Sequence, residues 1–406
     1  MRFVMGRAMT TVCSSAIPML KRSAVHPSSL VRFSHKSVAH RPARPLSSSS
    51  LSRSYTAAAE MKLQTKLVTE NQAEAGQEEV IGECQLQHGE ILNGDIKIHY
   101  VECGKLDGDL VLLLHGFPNF WYVWKNQFQP LAEAGFHVIA PDMRGYNTSS
   151  KPTGVASYGR KPVLSDVVCI IDHFGAGKRA IVVRHDWGGA VAWALAEDYP
   201  SKLMKIVVVN SAHLSVLGQL MRTNFQQLRR TWYILFFQLS WLPEFVMSCR
   251  RYRTLRRVLE LGPCQPQPAI DVERHVMAFS EKGAVQASIN YYRAGYQGLW
   301  GQKPGSKPGT QLPVGIIWGE ADQYLIKELA EPPEALATDM SIMFLPKLSL
   351  LYQSFEDCSH WPMWDEPDHF NQLLLSQLSS DTNDRDCTIC AADNKSLIMK
   401  ALKLRA

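Results

Sequence analysis

Several protein classes are excluded by what this sequence of 406 residues has little of. Its nine cysteines, at positions 13, 84, 103, 169, 249, 264, 358, 387 and 390, are odd in number and irregularly spaced. That is no disulfide framework, and it points to a reducing compartment for the folded part. No run of 18 or more apolar residues is free of charged or polar clusters, so no membrane-spanning helix is expected. No Gly-x-Ser-x-Gly elbow occurs, which disfavours a serine esterase, and no internal repeat is visible. Acidic residues are missing from the first 59 positions, which hold nine of the 43 Lys and Arg. The remaining 347 residues therefore carry −4 rather than the +5 of the whole chain. A mildly acidic body gives no nucleic-acid footprint.

What is present is the composition of a globular protein, 46% apolar and 20% charged, long enough for a core that needs neither disulfides nor metal. Residues 1–60, rich in Arg and Ser, read as a disordered leader of transit-peptide composition directed to a mitochondrion or plastid. If that leader is not translated, Met61 is the start and the protein is expected to be cytoplasmic. Residues 381–406 read as a flexible polar and then basic tail. Its Cys387-Thr-Ile-Cys390 pair is half of a zinc site with no second half, so no metal is expected.

From Ile96 the texture becomes that of an α/β protein with a mostly parallel sheet. Strands are expected at 96–102, 110–116, 136–142, 179–186, 203–211 and 312–320, with helices around 126–134, 163–174 and 188–199. The alternation stops after Ser211. Residues 212–305 are mainly helical and aromatic, and the sheet resumes at Gln311. The expected domains are therefore a core from 85–211 and 306–380 and a helical lid from 212–305, over the carboxyl ends of the strands where such folds bind ligands.

Within RAIVVRHDWGGAVAWALAEDYP (179–200), a β-branched strand turns sharply into a helix, with Asp186 at the apex and Gly188-Gly189 behind it. A carboxylate there is ionised at neutral pH and can attack saturated carbon without a base. On the elbow alone, a helix N-cap aspartate remains an equal alternative. Further elements favour the nucleophile. His115-Gly-Phe-Pro118 follows an apolar strand, so the amides of Phe117 and Trp187 would form a two-donor oxyanion hole. Trp318-Gly-Glu-Ala-Asp322 ends the resumed strand in an acid, and Ser359-His360-Trp361 follows. Asp186, Asp322, His360 is the chain order nucleophile, acid, base.

With these residues in view, the sequence from about 85 to 378 resembles an epoxide hydrolase of the α/β-hydrolase superfamily. The segments that carry the likeness are HGFPNFWYVW (115–124), PDMRGY (141–146), HDWGGAVAW (185–193), TWYILFFQL (231–239), INYYR (289–293), WGEAD (318–322) and SHWPMWDEP (359–367). The resemblance implies an α/β-hydrolase core with an inserted helical lid, Asp186 as nucleophile, His360 as the base that activates water, and Asp322 as its orienting acid. It also implies two lid tyrosines, Tyr233 and Tyr292, holding the epoxide oxygen, with no cofactor. The partners are then a small hydrophobic epoxide and water. The aromatic lid residues Trp232, Phe236, Phe237, Trp241 and Phe245 fit an apolar substrate.

Three features depart from the family pattern. Arg184 stands two residues before the nucleophile, where a small residue is usual. Ala212 replaces a usual Pro in NSAHL, and Asn147-Thr148 replaces Gly-Asp; Asn can still take the positive φ such a loop needs. Two other readings follow from the same residues. A haloalkane dehalogenase shares the Asp-Trp pair, but a halide calls for N–H donors rather than phenols, and Phe117 stands where such a donor is typical. A ligand-binding relative impaired by Arg184 is the other.

Overall fold

The computed structural model describes residues 78–264, 266–301, 309–332, 334–337, 339–345 and 358–379. The leader at 1–60 and the tail at 381–406, with its cysteine pair, lie outside the described residues.

The sheet begins as an antiparallel meander of β1 (Glu78–Ile81), β2 (Cys84–Asn93) and β3 (Ile96–Gly104). β2 alternates buried and exposed side chains, the mark of a strand covered on one face. The strands that follow are β4 (Leu110–Leu114), β5 (His137–Pro141), β6 (Ala180–His185), β7 (Leu203–Val209) and β8 (Val314–Gly319). Four of these five are buried at every position, and β7 at all but one, as expected of parallel strands covered on both faces by helices. With β9 (Met340–Leu345) they complete a nine-stranded sheet in the order β1-β2-β3-β5-β4-β6-β7-β8-β9, parallel from β5 to β9.

All six expected strands are present, with small shifts at their ends. β1, β2 and β9 were not anticipated, because β1 is a polar edge, β2 mixes polar and apolar residues without β-branched enrichment, and β9 is a short apolar run without a clear flanking turn. Helices α1 (Phe128–Glu133), α2 (Arg160–Phe174) and α3 (Trp187–Asp198) fall where they were expected.

The strand order positions the site. After β4 the chain moves to β5 on one side, then crosses back to β6 on the other. The loops that leave β4 and β6 therefore diverge from neighbouring strands, Leu114 lying opposite Arg184. Such a switch point opens a crevice at the carboxyl ends of the strands.

Between β7 and β8 the chain builds a helical insertion from α4 (Leu214–Thr223), α5 (Phe225–Arg230), α6 (Trp232–Phe236), α7 (Leu242–Leu261), α8 (Ala269–Ser280) and α9 (Ala284–Tyr296). Asn224 separates the first two by capping the second, its Oδ1 accepting from the Gln227 amide at 3.1 Å. α7 is interrupted where Cys249 is extended and Arg250–Tyr252 take left-handed angles. The insertion is pinned to the core by Tyr122 Oη donating to Asp271 at 2.9 Å, by Arg274 pairing with Glu79 at 2.7 Å, and by a Lys125–Asp271 ion pair. α10 (Pro362–Asp365) and α11 (Pro367–Ser379) close the described chain, α11 packing on β8.

Candidate active site

Asp186 sits between β6 and α3 at φ 53°, ψ −127°, a region that non-glycine residues rarely occupy. Its carbonyl is held by the Ser211 hydroxyl at 2.6 Å and the Gly189 amide at 2.6 Å, so the turn is fixed from both sides. The side chain is thereby turned back toward the loop after β4. There the Phe117 amide donates to Asp186 Oδ1 at 2.8 Å, and the Trp187 amide donates to the same carboxylate. Gly116 permits this approach: a Cβ at that position would stand 2.5 Å from both Cβ and Oδ1 of Asp186.

The other oxygen, Oδ2, lies 3.4 Å from Nε2 of His360. His360 Nδ1 donates to Asp322 Oδ2 at 2.7 Å. Asp322 follows β8 and is buried, its Oδ1 accepting the amides of Tyr324 at 2.7 Å and Leu325 at 3.0 Å. Asp186, His360 and Asp322 thus form one line across the carboxyl ends of β6 and β8. Burial would raise both aspartates, but each is held below the ordinary carboxylate range, chiefly by the hydrogen bond and charge of His360. Burial opposes the imidazolium, yet Asp322 and Asp186 raise His360 to about 10.

Opposite this line stand the two lid tyrosines. Tyr233, on α6, and Tyr292, on α9, have ring centroids 5.8 Å apart and hydrogen-bond each other. Both are raised well above the ordinary phenol range, first by burial and next by the negative charge of Asp186. Tyr291, the neighbouring residue in the same motif, turns away and donates to the Arg144 carbonyl at 2.9 Å. Around the gap, Phe117 lies edge-on to Phe237 (5.6 Å), Phe279 (5.9 Å) and Tyr292 (5.4 Å), which makes the walls apolar.

Of the five lid aromatics expected to face a substrate, Phe237 does so. Trp232 and Phe236 pack on each other at 5.9 Å, whereas Trp241 (71% exposed) and Phe245 (54% exposed) face outward. The pattern of apolar residues does not tell inside from outside in a short-helix cap whose helices turn every few residues.

Arg184 lies on β6, two residues before Asp186. It neither reaches solvent nor pairs with an acid: it is fully buried, and its Nε, Nη1 and Nη2 find no hydrogen-bond partner among the described residues. Burial pushes its guanidinium far below the usual arginine range, with Tyr291 nearby acting in the opposite sense. The altered loop behaves as expected, since Asn147 takes φ 43° and donates to Asp142 Oδ2 at 2.7 Å.

Several supporting residues were not singled out from the sequence. Asn210, also at positive φ, donates to Asp322 Oδ2 at 2.8 Å and accepts the Gly319 amide at 2.9 Å, tying the ends of β7 and β8 to the acid. His185 Nε2 donates to the His360 carbonyl at 2.7 Å; burial lowers this imidazole to about 3, so it is neutral. Asp142, from PDMRGY, accepts the Trp121 amide at 3.0 Å and braces the loop after β4. An isolated Asn before Ser is no signal in a sequence, but Asp142 stood in a quoted motif.

A family model described as the alpha/beta hydrolase fold matches residues 109–367. The chain belongs to the α/β-hydrolase fold family, in its epoxide hydrolase branch. It is 37% identical over 289 residues to the AB hydrolase superfamily protein YfhM of Bacillus subtilis, covering 70% of this chain and 95% of that one. It is 32% identical over 303 residues to Epoxide hydrolase 4 of Homo sapiens, covering 73% and 79%. Among solved structures, an epoxide hydrolase of Bacillus megaterium bound to an inhibitor superposes with a TM-score of 0.62 at 27% identity, over 72% of this chain and all of that one. The expected fold class and family are both borne out, and among the described residues no helix is long and apolar enough to cross a membrane.

Proposed function

We propose that this α/β-hydrolase converts a hydrophobic epoxide to a vicinal diol through a covalent ester on Asp186. The observation that carries this reading is the division of labour at the Asp186 carboxylate, with Oδ1 on the Phe117 amide and Oδ2 beside His360, facing two phenols between apolar walls.

Asp186 Oδ2 attacks one epoxide carbon, that carbon–oxygen bond breaks, and the departing oxygen takes a proton from Tyr233 or Tyr292. A raised phenol suits this role, because it stays protonated until an alkoxide is there to receive the proton. Alkylation removes the negative charge of Asp186, one of the charges that keep His360 protonated, so the imidazolium returns a proton to the phenolate left by the first step and becomes a base after the ester exists. Water then attacks Asp186 Cγ and gives its proton to His360 Nε2. The oxyanion develops on Oδ1, where the Phe117 amide already donates, with the Trp187 amide beside the same carboxylate. Collapse releases the second alcohol and leaves the water oxygen in the carboxylate. Asp322 stabilises the imidazolium throughout.

A haloalkane dehalogenase reading needs free N–H donors for the halide. The groups that stand opposite Asp186 are instead two phenols, which favours the epoxide. An impaired, ligand-binding relative is favoured by one observation, the buried Arg184 beside the elbow. A single turnover on an aryl or fatty-acid epoxide in oxygen-18 water decides the chemistry. Label in the Asp186 carboxylate supports the ester, and label in the first diol released refutes it. Delivery to a mitochondrion or plastid by residues 1–60 is a separate proposal, tested by fusing them to a fluorescent protein.

A further inference from the structure

The inserted helices carry three exposed apolar side chains within seven residues. Leu239 is 49% exposed, Trp241 71% and Phe245 54%, while Pro243 and Met247 in the same stretch turn inward. Trp241 holds φ 52°, so a left-handed, non-glycine backbone presents the indole to solvent. At and past the interruption of α7, Arg250, Arg251 and Arg253 are exposed, and none has an acidic partner within ion-pair distance among the described residues. Residues 212–301 hold eleven Lys and Arg against five acids, so the cap is cationic on a body that is otherwise acidic.

We infer that this face, from Leu239 to Arg253, docks the protein on an anionic lipid bilayer surface, with Trp241 and Phe245 entering the headgroup region and the three arginines meeting lipid phosphate and carboxylate. Trp favours that interface because its ring has an apolar body and a polar N–H, and guanidinium groups are drawn to a negative leaflet. A second copy of the chain is the poorer occupant. A two-fold contact would set the same unpaired arginines against each other, and like charges across an interface oppose association.

The face is linked to the site. Arg293, next to Tyr292, donates from Nε to the Phe237 carbonyl at 3.0 Å and from Nη2 to the Leu239 carbonyl at 2.7 Å, and pairs with Glu244 at 2.6 Å. The docking segment is thus bonded to the helix that carries one phenol, so a lipid-dissolved substrate would arrive beside the apolar gap. That link rests on the proposed epoxide reaction; the docking does not.

The test is co-sedimentation of the full chain with phosphatidylcholine vesicles, with and without phosphatidylserine, in the absence of substrate. Binding is expected only with phosphatidylserine and is expected to weaken with salt. Trp241→Ser with Phe245→Ser should weaken it at least tenfold, and Arg250→Gln, Arg251→Gln with Arg253→Gln about a hundredfold, at roughly fivefold per cation near the surface. Each variant's melting curve guards against misfolding. The basic leader is common to parent and variants, so equal vesicle affinity in all of them assigns any binding elsewhere and overturns the proposal. So does a dimer in sedimentation equilibrium that the Trp241→Ser, Phe245→Ser variant abolishes. Because no turnover is measured, failure of the epoxide chemistry leaves this result readable.

Discussion

Replacing Arg184 with Met should make the protein more stable. The change keeps most of the aliphatic stem in a fully buried position and removes a guanidinium whose three nitrogens have no hydrogen-bond partner among the described residues. A buried polar group left unsatisfied costs about 1–3 kcal/mol, and a buried unpaired charge several. Allowing for imperfect packing of the thioether, a net gain of about 2–4 kcal/mol is expected. For a body of this size each kcal/mol moves the melting temperature by roughly 2–4 °C. A rise of about 5–10 °C in a calorimetric scan at neutral pH is the expected result. Arg184→Gly separates charge from bulk. It also gives up about three buried methylenes at ~0.8 kcal/mol each and adds backbone freedom worth about 0.5–1 kcal/mol, so its stability should stay near the parent's. Its effect should appear in turnover instead, because the strand–helix elbow that sets the Asp186 geometry is no longer crowded, and the reaction is sensitive to displacements of the order of 1 Å. A melting temperature for Arg184→Met at or below the parent's would refute this reasoning. It would mean that the guanidinium is compensated where it lies, and that the elbow has been rebuilt around it.

Three further outcomes follow from the same geometry. Tyr233→Phe or Tyr292→Phe should slow epoxide opening, and the double variant should slow it more, while ester hydrolysis is less affected; pre-steady-state alkylation rates check this, and near-parental rates in the double variant rule the assignment out. His360→Gln should permit alkylation and trap the ester, visible as added mass on the peptide that holds Asp186. The same substitution has a stability signature: His360 is raised from an ordinary value near 6.5 to about 10, so its contribution is fully present below pH ~6.5 and is lost as pH rises through about 10. The stability difference between parent and His360→Gln should therefore shrink over that window in pH-dependent melts. Asn210→Ala should cost about 1–3 kcal/mol of stability by leaving Asp322 Oδ2 and the Gly319 amide without one partner each, and should slow ester hydrolysis more than ester formation.

Most residues of the proposed site could be picked out from the sequence because each follows a strand that the sequence marks strongly. Asp186, Asp322 and the Phe117 amide come directly after wholly buried β-branched or apolar runs, and a parallel sheet aligns the ends of such runs on one side. Tyr233 and Tyr292 required the family resemblance, since nothing in the periodicity of a short aromatic helix tells a phenol facing a nucleophile from one packed in a core; Tyr291 and Tyr292 are adjacent and point to different neighbours. Only the tertiary structure decided the fate of Arg184, the outward turn of Trp241 and Phe245, and the bracing by Asn210 and His185. The physical reason is common to all of these. Each depends on how elements far apart in the chain are placed, Asn210 with Asp322 across two strand ends and Trp241 on an exposed turn between two inserted helices, and local spacing fixes which side chains a chain has but not which of them meet.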